Sequence, residues 1–153
     1  MPTEVLRDER TPPALAAYLG GLKARNVTAI EASLAEEVQF VTLVRTMNKP
    51  EVLGFLSALY AGFPDWSYER DEPQRLPDGA YAVRWRQGGV HTGTLALPES
   101  EPVPPTGRRV VIPEQRFLYR VGPRGLMEIR PDPIPGGAPG GIFEQIGVER
   151  SPL

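Results

Sequence analysis

The sequence has no cysteine, which excludes disulfides, thiolate metal ligands and a cysteine nucleophile. It has one histidine, His91, and a zinc site draws on several nitrogen or sulfur ligands, so a zinc centre is short of partners. No apolar run approaches the ~20 residues that span a bilayer. The opening residues, MPTEVLRDERTPP, lack the basic-then-apolar order of an export signal. Neither sign of charge is in excess: Lys and Arg number 17, Asp and Glu 19, for a net charge of −2. That leaves no basic surplus for a phosphate backbone and no acidic tail. No segment repeats. The expectation is a cytoplasmic, globular protein with neither a membrane nor a nucleic acid as partner.

Proline (18) and glycine (16) are abundant. They concentrate at 98–107 and 131–141, which read as loops within a domain rather than linkers. A chain of 153 residues is most simply one domain, long enough to bury about 70% of the surface its unfolded form exposes. The expected domain spans 1–153, with a core over 12–148, an N-terminal extension at 1–11 and a Pro/Gly-rich loop at 131–141.

Three amphipathic helices are expected first. Thr11 before Pro12 and Pro13 is a helix start, and Leu15, Tyr18, Leu19 and Leu22 form a core-facing stripe. Gly20 and Gly21 inside that helix imply close packing against a neighbour. Thr28 with Glu31 has capping-box spacing for a second helix carrying Ile30 and Leu34. A strand is expected over 37–44, with Val38, Phe40 and Thr42 on one face. Asn48 with Glu51 caps a third helix, whose stripe is Val52, Phe55, Leu56 and Leu59.

A run of strands follows. Trp66 and Tyr68 alternate with Ser67 and Glu69. In the central stretch, YAVRWRQGGVHTGTLAL over 81–97, Tyr81, Val83 and Trp85 face one way and Arg84 and Arg86 the other. Gly88–Gly89 suggests a bulge or bend. With the strand unbroken, His91 shares the face of Trp85; with an inserted residue, it joins Arg84 and Arg86. Over 108–121, Val111, Phe117, Tyr119 and Val121 are expected on one face, with Arg108, Glu114, Arg116 and Arg120 on the other. Helices followed by strands give an α+β class. The charged faces fit cross-strand ion pairs on a solvated or dimer-facing surface. Trp66, Trp85, Phe117, Tyr119, Phe40 and Phe55 are candidates for core or for the lining of an apolar ligand pocket. His91 is a candidate acid/base or hydrogen-bond donor.

The order of these elements, with FPDW at 63–66, VRW and GGVHTGTL between Val83 and Leu95, PTGRRV at 105–110 and GIFEQIG at 141–147, resembles the SnoaL-like polyketide cyclases of the nuclear transport factor 2-like superfamily. The resemblance covers about 15–148. It implies a cone-shaped barrel, a curved antiparallel sheet wrapped around three N-terminal helices, with one deep apolar pocket and a homodimer or higher oligomer. It implies cofactor-free, metal-free ring closure by intramolecular aldol condensation, with an aspartate after the last strand as acid and base. Counting forward from Glu128 puts that aspartate at Ile134; counting back from Gln145 puts it at Ala138. Neither is acidic, and the nearest carboxylate is Asp132. The histidine that many relatives carry on the preceding strand has no counterpart in Pro113–Glu114–Gln115. Two readings follow, beside a third as a relative of the ketosteroid isomerase or epoxide hydrolase branch, which needs its carboxylates inside the pocket. One is a cyclase acting by proton transfer α to a carbonyl, with Asp132 as base and His91 as polarising donor, on a small hydrophobic, polyketide-like or ester-bearing molecule. The other is a non-catalytic ligand-binding or dimerisation module that has lost the aspartate.

Overall fold

The computed structural model describes residues 11–98, 100–149, 152 and 153; apart from Thr11, the expected N-terminal extension lies outside them. Helix α1 (Pro13–Ala24) begins at the expected proline pair, and its four stripe residues are all buried. Of the glycine pair, only Gly21 is required by packing: a Cβ there would stand 2.8 Å from Ile30 Cγ1, while Gly20 has open space around it. Helix α2 (Val27–Ser33) follows after a break at Arg25, whose φ is 54°. Its cap is Asn26, which accepts a hydrogen bond from the Ala29 amide, and not the expected Thr28. With so short a connection, the asparagine already at the turn satisfies the free amide first.

Strand β1 (Leu34–Val41) starts earlier than the sequence pattern indicates. A tight turn after it leads to the two-residue β2 (Thr46–Met47) and leaves Leu43 and Val44 exposed. Helix α3 (Lys49–Gly62) opens with the expected capping box, both reciprocal bonds being present between Asn48 and Glu51. Short strands β3 (Ser67–Arg70) and β4 (Gln74–Arg75) pair with the long β5 (Tyr81–Val90). Strands β6 (Arg109–Gly122) and β7 (Gly125–Pro131) form a hairpin, and a short helix α4 (Gly140–Gln145) follows.

The sheet runs β2-β1-β7-β6-β5-β3, with β4 also on β5. It curves around the helices without closing. The pairing is antiparallel except between β1 and β7, which are parallel. The all-antiparallel expectation fails there because β7, the last strand, returns beside the first. Helix α1 packs on β3, β6 and β7 and α3 on β1, which puts the core on one face of the sheet. Among the described residues no helix is long and apolar enough to cross a membrane.

The break in the central pair is not at Gly88–Gly89. Those glycines stay in register with Val111 and Val110, and the shift falls between Trp85 and Gln87, which pair with Gln115 and Ile112. The extra residue therefore belongs to β6, at Pro113–Glu114, where a proline without an amide hydrogen is tolerated. The slip reverses the faces of β6 beyond it: Val110 and Ile112 are buried and Val111 is 63% exposed, opposite to the expected side. Gly88 and Gly89 serve close approach instead. A Cβ at Gly88 would meet the Val110 carbonyl oxygen at 2.5 Å, and one at Gly89 would meet the Trp66 backbone at 3.1 Å.

Candidate ligand cavity

Alternation on β5 and β6 sends Trp85, Phe117 and Tyr119 to the helix side of the sheet, where all are buried. With Phe40 of β1 and Phe55 of α3, they line a small apolar space between sheet and helices. Five of the six aromatic candidates therefore meet there. Trp66 stands behind the wall, its indole Nε1 donating to Gln87 Oε1 at 3.2 Å. The lining also includes Tyr18 of α1, Tyr68 of β3 and Gln87 of β5, and on one side Ala138, Pro139 and Ile142 from the end of the chain. The free volume is about 40 Å³, well below the roughly 150 Å³ that admits benzene to an engineered apolar cavity.

The polar side-chain groups at this space are hydroxyls, one amide and the Trp85 indole N–H. Trp85 Nε1 donates to the Tyr119 hydroxyl at 2.8 Å, and the Tyr60 and Tyr68 hydroxyls share a hydrogen bond of 2.7 Å. Burial pushes the phenols of Tyr18, Tyr68 and Tyr119 well above the ordinary tyrosine value and that of Tyr60 to about 12. All four are therefore neutral hydroxyls at physiological pH. Among the described residues, no Asp, Glu, Lys, Arg or His lines the cavity.

Asp132 and His91 lie elsewhere and apart. Asp132 follows β7 directly, its amide donating to the Arg116 carbonyl at 2.9 Å. Its carboxylate accepts from Arg116 Nε at 3.0 Å and is about a third exposed. It borders an outer groove between the β1–β2 turn and Pro133–Pro135, which shares the Ala138–Pro139 wall with the cavity. His91 is fully buried on the face it would share with Trp85 in an unbroken strand, stacked on Phe63 with ring centroids 5.1 Å apart. Its Nδ1 accepts from the Thr106 amide at 3.2 Å and lies 2.9 Å from Thr106 Oγ1. Because a backbone amide can only donate, Nδ1 carries the lone pair and Nε2 the proton. Nε2 finds no partner among the described residues, and burial lowers the His91 pKa. The histidine holds the PPTGRR turn against β5. Among the described residues no group of three His, Asp or Glu side chains gathers where a metal would sit.

Two glutamines bind the chain end to β6. Buried Gln115 donates through Nε2 to the carbonyls of Asp132 (2.9 Å) and Ala138 (3.1 Å) and accepts from the Ala138 amide at 2.8 Å. Gln145 takes the Val111 amide on Oε1 at 3.0 Å and gives Nε2 to the Val111 carbonyl at 2.9 Å, as a neighbouring strand would. On the opposite face of the sheet, Arg84 and Arg86 pair with Glu114, Arg86 also with Asp71, and Arg120 with Asp78 and Glu128. The pairs of Glu114 and Glu128 are the expected cross-strand ion pairs; those of Asp71 and Asp78 reach loops beside the sheet.

No family model matches the chain, and no curated protein matches it. Solved structures do. AclR, a putative hydroxylase from Streptomyces galilaeus, superposes with a TM-score of 0.66 at 15% identity, over 90% of this chain and 85% of that one. A putative SnoaL-like polyketide cyclase from Jannaschia sp. gives 0.64 at 14% identity, over 89% and 92%. A protein of ketosteroid isomerase-like fold from Catenulispora acidiphila, in complex with trimethylamine, gives 0.62 at 14%, over 93% and 99%. The curved open sheet, the three leading helices and these likenesses agree: the chain has the fold seen in solved structures of SnoaL-like polyketide cyclases and nuclear transport factor 2-like proteins.

Proposed function

We propose that this protein binds a small, neutral, mainly apolar molecule in the cavity between sheet and helices and performs no chemistry on it. One observation carries the reading: the lining holds no carboxylate or imidazole. Proton abstraction α to a carbonyl needs a base within hydrogen-bond reach of the carbon-bound proton. At the position the family resemblance reaches by counting back from Gln145, the chain presents the methyl group of Ala138 to the cavity. Asp132 is spent on Arg116, and His91 on Thr106. The cyclase reading puts Asp132 at the substrate as base; its place on the outer groove favours the binding reading instead.

A space of about 40 Å³ admits an organic guest only if one wall gives way. The wall formed by Ala138, Pro139 and Ile142 is the one that yields, because it is attached through glutamine side chains rather than by strand pairing. Calorimetric titration with methylenecyclopentane tests the reading. Ala138→Phe, which fills the space, is expected to abolish binding, and Asp132→Asn to leave it unchanged. Persistent binding in the first variant, or its loss in the second, would overturn the proposal. The ion-paired outer face of β5–β7 is the surface on which we place a homodimer.

A further inference from the structure

The chain has only two tryptophans, and each indole is spent on a polar group at the cavity. An indole N–H donates and never accepts, so each contact fixes the polarity of its partner. Trp66 Nε1 engages Gln87 Oε1, which settles the amide orientation and leaves the Gln87 NH₂ as the end without a tryptophan partner. Trp85 Nε1 engages a lone pair of the Tyr119 hydroxyl, and among the described residues that hydroxyl donates its own hydrogen to no side chain. Both residues line the same apolar space. The two tryptophans thus act as orienting groups, each turning an ambivalent neighbour into a donor.

We infer that the cavity selects its ligand by an uncharged acceptor oxygen, a carbonyl or an ether, seated on the Tyr119 hydroxyl and the Gln87 amide. The inference rests on the binding reading above and narrows it. A charged ligand is disfavoured because the lining offers no counter-ion to replace its lost water. A pure hydrocarbon gives the buried Tyr119 hydroxyl no acceptor for its hydrogen, the costly state for a buried polar group, and wastes the Gln87 amide.

Two probes of one shape separate the possibilities: cyclopentanone, and methylenecyclopentane, in which a CH₂ replaces the oxygen. In wild-type protein, the carbonyl stretch of bound cyclopentanone should fall below its value in cyclohexane. Tyr119→Phe should weaken cyclopentanone about tenfold while methylenecyclopentane changes by less than about twofold, since one hydrogen bond is removed at nearly constant shape. Gln87→Leu should act in the same direction. A stretch at its cyclohexane value, or equal losses for both probes in both variants, overturns the inference while leaving hydrocarbon binding intact. Should the Tyr119 variant not fold, the stretch in wild type decides alone. Failure of both probes to bind wild type up to their solubility limits rejects the binding reading and this inference with it.

Discussion

His91 shows how one buried side chain can be held in one protonation state. Burial opposes its charge, and its Nδ1 accepts from the Thr106 amide, so a proton placed there would meet another proton. The native pKa is therefore depressed below the ordinary value of about 6.5. Between those two values the unfolded chain binds more protons than the folded one, so stability rises with pH. The contribution of His91 is complete above about pH 6.5 and declines as pH falls towards the native value. Thermal unfolding of wild type and His91→Gln from pH 5 to 8 should show a slope below pH 6.5 in wild type that the variant lacks; parallel curves would contradict this. Sequence alternation allowed His91 on either face and could not choose, since the choice depended on where the neighbouring strand carried its extra residue. Tyr18 was legible as a core residue, but periodicity reports which side of an element faces inward, not where the packing leaves a gap. Gln87 gave no signal at all, because its role depends on a tryptophan from another element.

At the scale of elements, the bulge in β6 and the two glutamine clamps decide how the cavity is walled. The helices were legible because stripe, proline and capping box agreed, as they do for α3. The exposure of Val111 was not, because a single slip at Pro113–Glu114 inverts every face beyond it. Nor was α4, six residues long, too short for a periodic stripe. Gln115 occupies the stretch where the family resemblance implies a histidine, and here it ties the segment after β7 to the sheet by three hydrogen bonds. Gln115→Ala removes them and should cost about 1–3 kcal/mol, the penalty for leaving buried backbone groups unpaired. It should also raise amide exchange at Ile134 and Ala138 well above that of Tyr119 in the centre of β6. Unchanged exchange there would show that the clamp does not hold the wall. The same variant should also speed ligand exchange without changing which ligand binds.

For the molecule as a whole, fold class and helix order followed from the sequence, while the parallel β1–β7 pair and the open sheet edge did not. Strand pairing between the two ends of a chain leaves no local pattern. The outer face of the sheet is a ladder of arginines and carboxylates, and exposed pairs of this kind each contribute only about 0–1 kcal/mol to folding. Their arrangement, both signs on one face of the sheet, suits a second copy related by a two-fold axis. Light scattering at micromolar concentration should give a dimer that weakens as salt screens the pairs; a monomer at every salt concentration would contradict the proposed interface.

The central claim is that the space beneath Trp85 and Tyr119 opens to a neutral guest. The two indole N–H resonances in a ¹⁵N-edited spectrum report on it directly, since one belongs to Trp85 in the wall and the other to Trp66 behind Gln87. On titration with cyclopentanone, both should shift saturably and together, the Trp85 signal further. If neither moves while the probe reaches its solubility limit, the cavity takes no guest and the account is wrong.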